Sequence, residues 1–184
     1  MLIPFETLNK LVALSAVWME LFAAALLPLF FLREKEWAQE LSRLTARWAL
    51  LAGAVLSWGA VAVSLYYSEV LGFDPCGLCW MIRVFSYPLA ILLTLAWWKA
   101  DWRMADYGIA LAVPGLLIAL YQHYLQMGGT EVVGCPATGG SADCSARFLY
   151  EFGHVTFPWL AVAYFLLLIV LMLHLRAHRG EGRE

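Results

Sequence analysis

The sequence predicts an all-α integral membrane protein, a four-helix bundle core plus one extra N-terminal transmembrane helix. Three observations carry that expectation. The 184 residues are 62% hydrophobic and 14% charged, with a mean hydropathy of +0.71, whereas soluble domains run about 45–50% apolar and about 25% charged. Five stretches stay apolar for about 20 residues, which at 1.5 Å per residue crosses a hydrocarbon core of about 30 Å. Nine tryptophans and eight tyrosines suit helices anchored at lipid interfaces. The length leaves no room for a soluble domain beside five spans. A net charge of −2 with no basic block excludes nucleic acid as a partner.

In chain order, Leu8 to Leu32 is the first apolar run, with Glu20 near its middle. It reads as a retained span, because no basic stretch beyond Lys10 precedes it and apolar sequence continues past Ala23 to Ala25. Residues 1–33 thus form the extra helix. Residues 34–47 carry charges of both signs, and Trp37, Leu41, Leu44 and Trp48 recur at helical spacing, which predicts a connector lying along the cytoplasmic membrane surface. The core covers residues 48–176. Its spans run from Trp48 to Leu71, Trp80 to Trp98, Tyr107 to Met127 and His154 to Leu175, with a polar, Gly-rich loop at 128–153 and a tail at 177–184.

Basic residues orient the bundle, since cytoplasmic loops are enriched in Lys and Arg. Arg33, Lys35, Arg43, Arg47, Lys99, Arg103, Arg176, Arg179 and Arg183 fall on one side of five spans, and only Lys10, Arg83 and Arg147 on the other. The C-terminus is therefore expected in the cytoplasm and the N-terminus outside. Both cysteine pairs then face outward, where disulfides form and persist.

The stretch that promises chemistry is Pro75-Cys76-Gly77-Leu78-Cys79-Trp80, with Arg83 four residues after the second thiol. A Cys-x-x-Cys pair can close a small strained disulfide and is often reactive, but it also resembles half of a zinc site. Cys135 and Cys144 make a second pair in the outer loop. Three readings compete. Two static staples need only proximity, although a four-residue loop constrains little chain. A zinc site needs all four sulfurs about 2.3 Å from one metal, across a helical hairpin and in an oxidising space. The third reading is two pairs that exchange electrons. Arg83 favours it, lying about 6 Å along the helix from Cys79 on the same face, where a cation would stabilise a Cys79 thiolate or an anionic ligand. The plainer account of Arg83 is a side chain that snorkels to lipid phosphates.

PCGLCW, then Arg83, then Phe85-Ser86-Tyr87-Pro88 inside a span, with a second outer cysteine pair between the next two spans, resembles the disulfide bond formation protein B family (DsbB), and more closely its BdbC-like branch. The resemblance covers about Trp48 to Arg176. It implies a membrane thiol:quinone oxidoreductase of the bacterial inner membrane that reoxidises a DsbA-like thioredoxin-fold oxidase. It implies the disulfides Cys76–Cys79 and Cys135–Cys144. By the same resemblance Cys79 contacts the quinone (ubiquinone or menaquinone), Arg83 stands beside it, and Cys76 exchanges with the loop pair. Cys135 would take the mixed disulfide with the oxidase and Cys144 would resolve it. The first span is extra to that family core. Only eight residues separate Cys135 from Cys144, fewer than in the best-known members, so how they reach Cys76 is a question for the three-dimensional structure.

Magnitudes agree with a quinone. The oxidase DsbA is known to have a potential of about −120 mV, so a structural disulfide below about −300 mV would be roughly 8 kcal/mol too reducing to accept its electrons. A lipid-soluble quinone next to Cys79 meets that need, and no haem-attachment or flavin motif offers a substitute. Quinone reduction takes two protons, and His123, near the outer end of its span between Tyr121 and Tyr124, is the candidate donor or relay; its plainer role is a bond to an interfacial group. Glu20 reads as a packing or partner contact, and Glu69 and His154 as solvated end residues. Two alternatives are a vitamin K epoxide reductase type enzyme, in which the loop pair precedes the Cys-x-x-Cys, and a non-enzymatic membrane adaptor stapled by two disulfides.

Overall fold

The computed structural model describes residues 4–32, 35–135 and 143–178. The middle of the outer loop, Arg33, and the tail from residue 179 onward lie outside the described residues. Among the described residues five helices are long and apolar enough to cross a membrane: α1 (Phe5–Phe31), α2 (Glu36–Leu65), α3 (Gly77–Lys99), α4 (Met104–Gln126) and α5 (Phe157–Ala177). A π-helical turn at Tyr66–Val70 prolongs α2. An antiparallel pair of two-residue strands, β1 (Tyr150–Glu151) and β2 (Val155–Thr156), precedes α5.

α2, α3, α4 and α5 close a ring in which each touches its neighbours, and α1 lies outside the ring against α5. α5 is consequently the most enclosed, with 67% of its apolar window buried against 22% for α1. Small residues let the helices approach. Gly115 of α4 faces the Phe165 ring so closely that a Cβ there would sit 2.4 Å from it. Phe165, Leu168 and Met172 of α5 fill the centre with Leu89 and Leu93 of α3. The apolar contact inside a bilayer is packing rather than expulsion from water, so such small-against-large fits carry the association.

The surface-lying connector expected at 34–47 is corrected. From Glu36 the chain is already α2 and continues unbroken to Leu65. No proline interrupts it, and Ala38, Ser42, Ala46, Ala49 and Gly53 form one buried stripe running into the span. The stripe of Trp37, Leu41, Leu44 and Trp48 is the opposite, outward face, each residue about half exposed. Helical periodicity was real there; the small-residue face, not the bulky one, packs.

The ends are shaped by local chemistry. α3 stops at Ala100, whose φ is +50°, and the Asp101 carboxylate accepts from Arg103 N at 3.0 Å to start α4. The strand pair was not expected from an all-α reading. Phe152 and Gly153 have φ of +54° and +78°, both central positions of a tight turn closed by His154 N on Glu151 O. The turn delivers Thr156, whose hydroxyl accepts from Trp159 N at 3.3 Å and caps α5.

Three polar contacts seat α1. Tyr67 donates to Asn9 Oδ1 at 2.6 Å, and Trp159 Nε1 donates to the Glu20 carboxylate. At the far end His174 Nε2 donates to Leu26 O at 3.1 Å. A carbonyl can only accept, so the His174 proton is on Nε2 and Nδ1 accepts from Ser42 Oγ, 2.7 Å away. Glu20 is thus a packing contact, as its sequence context indicated, and Glu69 and His154 are exposed.

Candidate functional site

Cys76 is the residue before the first turn of α3. Its sulfur accepts from Cys79 N at 3.3 Å and lies 2.6 Å from the Cys79 sulfur. The two sulfurs are thus adjacent at the start of α3. The hydrogen bond to Cys79 and burial push the Cys76 thiol up from its ordinary value.

α4 supplies what the sequence reading missed. Gln122 Nε2 donates to the Cys76 sulfur at 3.0 Å and to the Cys79 sulfur at 3.1 Å. Gln122 is 1% exposed, and its Oε1 has no partner among the described residues. A signal existed. Gln122 and Gln126 interrupt an apolar span on the face that also carries Ile118, Tyr121 and Leu125, and an amide inside hydrocarbon must find a partner.

The same face carries the loop. Tyr121 Oη accepts from Val132 N and Val133 N and donates to Val133 O at 2.6 Å. Gln126 Nε2 donates to Ala146 O at 2.7 Å. Between these anchors Cys135 and Cys144 are joined by a disulfide. Cys76, Leu78, Leu125 and Cys144 form one buried cluster, against which Cys79, Cys135, Ile118 and Tyr121 pack. All four sulfurs are thereby gathered at one end of the bundle. Cys144 is 2% exposed and Cys135 is the more open partner.

Arg83 is buried, 8% exposed, and turned inward rather than snorkelling. Its Nε donates to Ser64 Oγ at 2.9 Å and its Nη2 to Ser64 O at 3.2 Å. Its guanidinium lies 5.0 Å from the Trp80 ring centroid. Among the described residues its hydrogen bonds go to neutral groups. Arg83, Cys79, Ser64 and Gln122 all border a cavity of about 560 Å³, otherwise walled mainly by apolar side chains of α1, α2 and α5. That is the size and make-up of a small-molecule site, apolar with a few converging polar groups. The π-helical turn lies over it, contributing Tyr67 and Ser68; such turns are frequent at functional sites.

His123, the expected proton donor or relay, does not border this cavity. One residue on from Gln122 is about 100° around the helix, and His123 meets α5 instead. Its Nδ1 is 2.9 Å from Thr156 Oγ1, and its ring lies 4.6 Å from that of Trp159. No group of three or more metal-ligating side chains occurs among the described residues.

An all-α membrane bundle that gathers two cysteine pairs at one end defines a membrane thiol–disulfide redox protein. The family model of disulfide bond formation protein DsbB matches residues 46–175, and the chain belongs to that family. It is 34% identical to disulfide bond formation protein C of Bacillus subtilis over 72% of this chain and 95% of that protein. It is 37% identical to a probable disulfide formation protein C of Bacillus cereus, over 67% of this chain and 88% of the relative. To a probable disulfide formation protein of Metapseudomonas resinovorans it is 33% identical, over 70% and 90%. No solved structure matches the chain.

Proposed function

We propose that this protein reoxidises a DsbA-like thioredoxin-fold oxidase on the outer face of the bacterial inner membrane and passes the electrons to a quinone. The observation that carries the reading is the gathering of four sulfurs in one cluster beside a cavity that also holds Arg83. The distribution of basic residues supports that end lying outside.

The thiol steps balance without an outside oxidant. A partner thiolate attacks the more open Cys135, breaks its bond to Cys144, and leaves a mixed disulfide and a Cys144 thiolate. The partner's second thiol, rather than Cys144, then resolves it, since attack by Cys144 would only restore the starting disulfide; Cys135 and Cys144 are left as a dithiol. That dithiol attacks the oxidised Cys76–Cys79 pair, reforming Cys135–Cys144 and moving two electrons onto the helix pair. Cys144 shares a buried cluster with Cys76 and Leu78, and Cys135 packs against it, which supports exchange between the pairs despite the short loop.

A quinone, when bound, supplies a two-electron, two-proton sink. The residues present fit one: Cys79 borders the cavity, Gln122 donates to both sulfurs, and Ser64 fixes the Arg83 guanidinium at its edge. The held cation favours negative charge arising beside it, and in a low-dielectric site that preference is strong. Reoxidation of the purified, reduced protein by quinone, followed for each cysteine variant, tests the reading. Cysteines that stay oxidised throughout, whatever thiol partner is offered, would leave only a stapled adaptor.

A further inference from the structure

Opening of the Cys135–Cys144 disulfide by the partner removes the bond that staples the loop, at the moment when its thiols must lie against Cys76. The opened loop then depends on non-covalent anchors, and α4 supplies one on each side. Before Cys135, the Tyr121 hydroxyl accepts from Val132 N at 3.1 Å and Val133 N at 2.8 Å and donates to Val133 O at 2.6 Å. After Cys144, Gln126 Nε2 donates to Ala146 O at 2.7 Å. Val133 stands two residues before Cys135, and Ala146 two residues after Cys144. Gln126 is 3% exposed, so its bond is made largely away from water, where a hydrogen bond counts for more. Gln122, which donates to the Cys76 and Cys79 sulfurs, lies on the same helix between the two anchors. One helix therefore mounts both cysteine pairs.

We propose that Tyr121 and Gln126 are positioning residues for the exchange between the pairs, keeping the opened loop seated on Cys76. The inference rests on the proposed function, because a loop that never opened would need no such anchors. In the exchange a loop thiolate attacks the Cys76–Cys79 disulfide and expels one helix-pair thiolate. The second loop thiol then attacks the inter-pair bond, reforms Cys135–Cys144 and leaves the helix pair reduced. Two protons follow the two electrons from loop to helix pair, so no outside oxidant enters. The first attack scales with the effective concentration of the loop thiol at the helix pair. Pinning the backbone two residues from each thiol narrows the volume that the thiol explores. Among the described residues the anchoring bonds of Tyr121 and Gln126 go to backbone and not to sulfur. They therefore set distance and leave the redox balance of Cys76 and Cys79 alone.

The test uses the full-length protein in lipid nanodiscs with Cys79→Ser and Cys135→Ser, which leaves Cys76 and Cys144, the two cysteines of the buried cluster. Equilibration with glutathione buffers, then alkylation and mass spectrometry, gives the fraction of Cys76–Cys144 disulfide and hence the effective concentration of one thiol at the other. Adding Tyr121→Phe, which keeps the ring and removes its hydroxyl, should lower that concentration about tenfold, and Gln126→Leu about three- to tenfold. In the protein with all four cysteines, the equilibrium of the Cys76–Cys79 pair with glutathione should stay within about twofold of the parent in both variants. An effective concentration unchanged in both variants would overturn the clamp and leave the exchange standing. A fall matched by an equal shift in the Cys76–Cys79 equilibrium would also overturn it, returning both residues to a general structural role. A parent protein that forms no Cys76–Cys144 disulfide in any buffer would remove the exchange and the clamp together.

Discussion

Replacing Gln122 with Leu should make the Cys76–Cys79 pair more reducing. The amide donates to both sulfurs at 3.0 and 3.1 Å, and such bonds are stronger to a thiolate than to a disulfide sulfur. They stabilise the reduced pair, which raises its potential, so removing them lowers it. One hydrogen bond to a charged group contributes about 1.5–3 kcal/mol. At about 30 mV per 1.4 kcal/mol for two electrons, the potential should fall by about 30–65 mV. The fold should tolerate the change, because Oε1 is buried without a partner among the described residues and Leu removes that penalty. Equilibration with glutathione buffers of graded potential, followed by alkylation and mass spectrometry of the Cys76 peptide, reads the shift. A change under about 10 mV, or a rise, would refute the assignment of Gln122 to thiolate stabilisation.

Other outcomes follow from the same geometry. Arg83→Ala removes a cation held beside the cavity and should raise the KM for quinone about 10–150-fold, the value of a charged hydrogen bond, while capture of the partner oxidase is unchanged. Equal losses in both would return Arg83 to a structural or lipid-facing role. Cys135→Ala should abolish the covalent complex with the partner yet leave Cys76 and Cys79 reoxidisable by quinone; loss of both would reverse the assigned order of the pairs. Gly115→Ala puts a methyl 2.4 Å from the buried Phe165 ring, so stability in graded detergent denaturation should drop by about 1–3 kcal/mol, and unchanged stability would mean that α4 and α5 can separate freely there.

Much of the site was legible before any coordinates. Cys76, Cys79 and Arg83 announce themselves by spacing and by a cation inside an apolar run, and Cys135 and Cys144 by their place in the loop. Gln122 was not legible as a partner, because an amide's worth depends on which sulfur it faces. His123 shows the converse. Its chemistry suited either a proton relay or a bond to an interfacial group, and only the helical rotation shows that it meets Thr156 and Trp159. The 36–47 segment misled for a related reason: amphipathic periodicity identifies a helix but not which of its two faces will pack.

The sequence by itself determined the class of molecule, since hydropathy sums over twenty residues and needs no neighbour to be read. It also determined the reactive atoms, since thiols and a guanidinium are properties of the residues that carry them. Only the tertiary structure decided that the loop disulfide rests on the cluster around Cys76, that Gln122 serves both sulfurs, and that α1 closes the cavity. Those are relations between helices distant in the chain, fixed by how small faces such as that of Gly115 meet large ones such as Phe165, and no local pattern encodes the rotation at which two helices lock.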